Sequence, residues 1–344
     1  MSVTLSRRTG PTARAAALCA AVALAATACT SGSAEPEAEG GGDWSPVTVE
    51  HAHGSTEITS EPERIVTVGW SDEAALLELG IVPVGMAAST YAGDEEGYLP
   101  WDLEKIEELG GEKPELINTD DGLPVEEIAA LEPDLILGVQ SGMEENEYEQ
   151  LSGVAPTIAY LDQPWMTPWQ DEVRTIGEAV GRTDEAEKAV ADTEEYLDGL
   201  VEEHPEFTDA TFAAGTLMPE SGELGFYING DPRNALLEQM GLTPAPFLED
   251  VEAEENAFYG TMSQENAEDI DADVLVMWFN SEEEQKSLED SAVFGEVEAV
   301  KNGGFIGYTD RAASMAISSP NPLSIPWVMD DVAEDLSAAV EGEA

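Results

Sequence analysis

The 344-residue chain carries 73 Asp and Glu against 13 Lys and Arg, a formal net charge of −60, which excludes nucleic acid and anionic lipid headgroups as partners. Hydrophobic residues still make up 42% of it, so the charge does not signal disorder. Dense acid over an ordinary core fits a protein built for high salt, where repulsion is screened within about 3 Å at 1 M.

In chain order, Arg7, Arg8 and Arg14 precede an apolar run over 15–28 that ends Ala26-Thr27-Ala28-Cys29. A basic start, a short apolar stretch and small residues at its end describe an export signal over 1–28. The run is too short for a spanning helix, which needs about 20 residues. Small residues before Cys29 resemble a lipobox, although alanine stands at 26 where leucine is more usual. Cys29 is therefore expected to carry a lipid on the outer face of the cell membrane. Cys19 falls in the segment removed, which leaves Cys29 no disulfide partner. Residues 29–46 are rich in Gly, Ser, Glu and Pro and read as a flexible tether.

Val47-Thr48-Val49-Glu50-His51-Ala52-His53 alternates as a strand does, with both histidines on one face. Without a later His or Cys partner this reads as an exposed strand face, and no metal is expected there. Arg64-Ile65-Val66-Thr67-Val68 reads as a buried strand that breaks at Gly69-Trp70-Ser71-Asp72 and restarts as a helix carrying Ala74, Leu76 and Leu79. Trp70 thus stands at a strand-to-helix junction, where open α/β sheets bind ligands. Tyr91 follows the strand-like run at 84–88, residues 126–137 read as helix, turn and buried strand, and Trp165 and Trp169 follow Thr157-Ile158 among prolines.

From Pro168 the helical spacing runs to Val180, breaks at Gly181-Arg182 and resumes with Thr183 as N-cap. It then continues for about 20 residues, or roughly 30 Å, to Pro205. Beyond it, 235–242 repeats 75–81, and 265–276 repeats 126–137 in the same order. The first repeat pairs the strand before Asp231 with the strand before Trp70. The fold class is therefore α/β: two α/β lobes, 47–167 and 205–344, each with a central parallel sheet. A single long backbone helix within 168–204 joins them as a stiff spine.

No G-x-S-x-G elbow, P-loop, H-E-x-x-H or C-x-x-C is present, so no enzyme is expected. Trp70, Tyr91, Trp165, Trp169, Phe226, Tyr227 and Trp278 all fall at strand ends or in the loops after them. Each alone could plug a core edge; together they favour a shared aromatic cleft. Arg233 follows Asp231-Pro232, a helix start where positive charge is unfavourable, so it faces either a ligand anion or a local carboxylate.

The segments Glu63-Arg64-Ile65-Val66, Thr119-Asp120-Asp121-Gly122-Leu123-Pro124, Pro133-Asp134-Leu135-Ile136, Gly230-Asp231-Pro232-Arg233 and Asn321-Pro322-Leu323-Ser324-Ile325-Pro326-Trp327 carry a resemblance to bacterial ferric-siderophore substrate-binding lipoproteins of ABC importers. The resemblance runs from Val47 to about Val340. It implies a monomer that binds a ferric siderophore between the lobes, holds iron only through that ligand, needs no cofactor, and delivers its cargo to a permease. It also implies permease docking through one glutamate per lobe, at Glu126 and Glu265, and small lobe movements on binding. With few basic residues to meet an anionic catecholate, a hydroxamate is the expected chelate. A haem, cobalamin or other metal-chelate binder of the same fold, or a tethered α/β enzyme, are the competing readings.

Overall fold

The computed structural model describes residues 44–218, 221–253 and 257–344. Cys29, the export signal and the tether up to residue 43 lie outside them. Trp44, expected in the tether, instead packs its ring over the Gly181 turn and donates its indole N–H to the Ile58 carbonyl at 3.2 Å.

The first alternating stretch is a hairpin. β1 (Val47–His51) pairs antiparallel with β2 (Gly54–Ile58), so the chain turns at Ala52-His53 rather than continuing as one strand. A ring nitrogen of His51 bonds Thr56 Oγ1 at 3.1 Å, and His53 Nε2 bonds the Met143 carbonyl oxygen at 2.8 Å. The histidines fasten the hairpin to the first lobe; His51 is buried, and neither belongs to an exposed strand face.

The first lobe follows as β3 (Ile65–Thr67), α1 (Asp72–Glu78), β4 (Gly85–Ala87), α2 (Pro100–Leu109), β5 (Glu115–Ile117), α3 (Val125–Ala130), β6 (Leu135–Leu137), α4 (Glu145–Ser152) and β7 (Thr157–Ile158). Its sheet is parallel throughout, in the order β5-β4-β3-β6-β7. Strands covered on both faces by helices read as unbroken apolar runs, and β3 and β6 are buried at every position. The Asp134 carboxylate accepts from the Glu63 and Arg64 backbone N–H groups, both at 2.8 Å, and the Arg64 side chain donates to the Leu131 and Glu132 carbonyls. That exchange aligns the starts of β3 and β6.

α5 (Trp169–Ala179) and α6 (Thr183–Glu203) form the spine as two packed helices. The break is Gly181, at φ 68°, a conformation glycine adopts without strain. Arg182, not Thr183, is the N-cap residue of α6, and no side chain caps it. At 21 residues, α6 spans about 30 Å.

The second lobe contains β8 (Thr211–Leu217), β9 (Leu224–Tyr227), α7 (Pro232–Gln239), β10 (Thr243–Pro244), β11 (Tyr259–Met262), β12 (Val274–Trp278), α8 (Glu282–Glu289), α9 (Glu298–Lys301), β13 (Phe305–Tyr308), α10 (Arg311–Ser318) and α11 (Ser324–Glu341). This sheet is mixed, in the order β11-β9-β8-β12-β13, with β10 parallel to the start of β8. β9 runs antiparallel to β8 because only residues 218–223 separate them, too few for a parallel crossover. The expected duplication therefore needs one correction. The counterpart of β3 is β8, which pairs with β12 as β3 pairs with β6, and not the strand before Asp231. The same carboxylate stitch recurs there, since Asp273 accepts from the Thr211 N–H at 2.8 Å.

One continuous apolar core runs through Leu76 and Leu137 of the first lobe, Val190 and Leu197 of α6, and Leu236, Val276 and Leu336 of the second. Among the described residues no helix is long and apolar enough to cross a membrane.

Candidate functional site

The carboxyl ends of β3, β4, β5 and β6 open into a cleft whose two hollows share Trp70, Thr119 and Asp120. Each strand contributes through the loop after it: Gly69 and Trp70 follow β3, Ser89 to Tyr91 follow β4, and Thr119 and Asp120 follow β5. Ser141 and Gly142 follow β6, and Met315 of α10 closes the cleft from the second lobe.

Trp70 and Trp165 form one wall, their ring centroids 4.4 Å apart. Trp165 holds φ 65°, a left-handed conformation that costs a non-glycine residue energy unless its surroundings enforce it. They do: its N–H donates to the Ser141 carbonyl at 2.9 Å, and Gln140 Nε2 donates to its own carbonyl at 3.3 Å. Its indole lies so close to Gly142 that any Cβ there would collide with it. Tyr91 lines the hollow that does not include Trp165, 39% exposed, with the Arg311 guanidinium 5.2 Å from its ring centroid. That contact spans the two lobes.

Two of the expected cleft residues are core instead. Trp169 is 2% exposed and packs into the shared core, its indole N–H reaching Gln239 Oε1 at 3.3 Å. Trp278 is 4% exposed, lying edge-on to Tyr227 at 5.5 Å. Both sit on the apolar side of their elements, in the first turn of α5 and along β12, so neighbouring helices and strands cover them. Phe226 is likewise fully buried. Tyr227 is buried as well, but it carries Arg233, whose guanidinium lies 4.2 Å over its ring and 5.1 Å from that of Phe258. Of the two partners open to Arg233, the local carboxylate is present: Asp231 Oδ2 accepts from its guanidinium at 2.9 Å, and Ser318 Oγ from its Nε at 3.0 Å.

Sequence reasoning missed Arg311, Phe258 and the acids. Arg311 was visible by the criterion that picked out Arg233, a scarce cation in the first turn of a helix capped by aspartate. Asp120, which accepts from Thr90 Oγ1 at 3.0 Å, could not be singled out among 73 acids. Behind the cleft lie four almost wholly buried carboxyls, Asp72, Glu73, Asp102 and Glu172, of which Glu73 also lines the cleft. Burial pushes Asp102 up to about 8. It raises Glu73 well above the usual carboxylate range, with the charge of Asp102 adding to the effect. Glu172 is raised well above that range by burial and then by the charge of Asp72. Burial also raises Asp72, against the opposing effect of the hydrogen bonds it accepts.

Glu126 and Glu265 are exposed, each in the first turn of the short helix that precedes the matching strand β6 or β12. The second of these helices is a 3-10 helix, Gln264–Asp269.

A family model described as periplasmic binding protein matches residues 65–312. The probable siderophore-binding lipoprotein YfiY of Bacillus subtilis is 30% identical over 267 residues, covering 74% of this chain and 78% of its own. Among solved structures, PiaA of Streptococcus pneumoniae TIGR4 in complex with ferrichrome superposes with a TM-score of 0.79 at 31% identity, covering 86% of this chain and 99% of its own. A periplasmic solute binding protein of Mycobacterium smegmatis gives 0.73 at 30% identity over 86% and 99% of the two chains.

Proposed function

This chain belongs to the periplasmic binding protein family, and we propose that it binds a ferric siderophore in the aromatic cleft and hands it to the permease of an ABC importer. The observation that carries this is the Trp70–Trp165 wall, with Tyr91 on the same cleft and Arg311 of the second lobe lying over the Tyr91 ring. Flat indole and phenol faces take up the apolar body of a chelate, while a few polar groups fix its orientation. The iron stays with its chelator, so the protein needs no metal ligand of its own. Lipid attachment at Cys29 would hold the protein at the outer face of the cell membrane, beside the permease.

The class of chelate follows from the charges at the cleft. Asp120 and Glu147 line it, with Glu73 held toward its neutral form by burial, while Arg233 is already neutralised by Asp231. Among the described residues neither hollow is lined by a Lys or Arg, and Arg311 reaches only the Tyr91 rim, a poor match for a triply anionic catecholate and a fair one for a neutral or cationic hydroxamate. PiaA with bound ferrichrome is in keeping with this choice. Titrating tryptophan fluorescence with ferrichrome, ferrioxamine B, ferric enterobactin, haem and cobalamin tests both levels at once. The hydroxamates should quench at concentrations about tenfold or more below ferric enterobactin. Quenching by none of the three ferric siderophores would sink the proposal.

Glu126 and Glu265 are proposed to dock on basic residues of the permease, one from each lobe. Replacing both by arginine is expected to leave chelate affinity within about twofold, because neither lines the cleft, and to abolish uptake by reversing rim charges that steer association. Normal uptake by the double variant would remove these residues from the interface.

A further inference from the structure

Asp72 has no part in the cleft surface, yet its carboxylate holds two of the loops that form it. Oδ2 accepts from the Gly69 N–H at 3.1 Å and Oδ1 from the Gln140 N–H at 3.0 Å, so one side chain bridges the loops after β3 and β6. Those two backbones carry the aromatic wall. Trp70 N–H donates to the Gln140 carbonyl at 3.0 Å, and the Gln140 side chain donates to the Trp165 carbonyl at 3.3 Å. The fit at Gly69 leaves no room for a Cβ beside the Asp72 carboxylate.

The bridge continues into the rest of the molecule. Ser71 Oγ donates to the Glu172 carboxyl of α5 at 2.8 and 2.9 Å, and Ser319 Oγ, from the second lobe, donates to Ser71 Oγ at 2.9 Å. All four side chains are buried. Resting on the siderophore reading of the cleft, we propose that Asp72 is a positioning residue for the ligand: it fixes the Trp70–Trp165 wall through the Gly69 and Gln140 backbones, and Glu172, Ser71 and Ser319 tie that clamp to the second lobe.

The protonation follows from the surroundings. The Asp72 carboxylate is held by two backbone donors, whereas Glu172 has only the Ser71 hydroxyl, so burial and the like charge of Asp72 favour the protonated form of Glu172. The titratable group that faces the pair is Glu73 on α1, and Asp102 on α2 faces Glu73 in turn, both buried. Lys105 of α2 is occupied by Glu78 at the far end of α1, at 3.0 Å. No cation offsets a second negative charge within the cluster.

Two measurements test this, one of them without ligand. The Trp70 and Trp165 indoles, 4.4 Å apart and tilted by 38°, couple optically, as do those of Trp101 and Trp327 at 5.3 Å, so the couplet of the aromatic wall is the part of the free protein's circular dichroism that Trp165→Phe removes. Asp72→Asn turns an acceptor into an N–H donor against one of the two backbone N–H groups. It should erase the same couplet and weaken ferrichrome binding by about tenfold or more. Glu172→Gln keeps the side chain neutral and retains an acceptor for Ser71, so couplet and affinity should survive. The wild-type couplet should fade as rising pH removes the Glu172 proton, and in Glu172→Gln it should not. An undiminished couplet in folded Asp72→Asn overturns the proposal. Should that variant fail to fold, identical pH profiles for the wild type and Glu172→Gln overturn it instead. If ferrichrome does not bind the wild type, the functional reading fails, and the couplet still decides on the clamp.

Discussion

Trp70→Ala is expected to weaken ferrichrome binding about a hundredfold, close to 3 kcal/mol, with the fold retained. Trp70 is half-buried and lies at the point where both hollows of the cleft meet, so its loss removes a wall from each. It also removes the ring against which Trp165 packs. Calorimetric titration is the suitable measurement, since Trp70 would itself contribute to any fluorescence signal. Trp169→Ala provides the contrast. That ring fills the shared core, and its truncation should cost stability by about 3–5 kcal/mol. An unchanged Kd in Trp70→Ala, or its unfolding at the temperature where the wild type is intact, would return Trp70 to the status of a core plug.

Stability should fall as pH rises from about 4 to about 8. Asp102 is wholly buried, with neither carboxyl oxygen partnered, and its ionisation is pushed up to about 8. In this window the folded chain keeps a proton that the unfolded chain releases. The unfolded state thus binds fewer protons, and stability declines with rising pH until Asp102 ionises in the folded state as well. Across the whole window this one group costs on the order of 5 kcal/mol. Glu73 and Glu172, raised for the same reason, act in the same direction. Relief of the general acidic self-repulsion at low pH has the same sign, so the wild-type curve alone does not isolate the effect. Asp102→Asn does, because the amide reproduces the neutral acid without titrating. Denaturant unfolding at pH 4 and pH 8 should show the variant near wild type at the lower pH and clearly more stable at the higher one. Parallel curves would mean that Asp102 is ionised in the folded protein.

Much of the architecture was legible because it is written in short-range spacing. The apolar runs at Ile65 and Leu135, the helical period through α6 and the stop at Gly181 each depend on residues within a few positions of one another. The same holds for the strand-end position of Trp70, since a loop after a buried parallel strand opens where ligands bind whatever else the chain does. Even the equivalence of α1 with α7 was readable. The equivalence of β3 with β8 was not, because β9 is an inserted antiparallel strand and only the pairing register shows it.

The sequence by itself determined the fold class: local periodicity and a repeated order of elements point to two α/β lobes, and the resemblance carried by segments such as Gly230-Asp231-Pro232-Arg233 implies a binding protein. Only the tertiary structure decided which rings face the cleft, placing Trp70, Tyr91 and Trp165 on it and Trp169 and Trp278 in the core. It also decided that Arg233 meets Asp231, and that Asp72, Glu73, Asp102 and Glu172 are interior. Burial is a property of what packs over a side chain, contributed by segments as far apart as Ser71 and Ser319. In a chain with 73 acids, a buried carboxylate is spelled the same way as one in water.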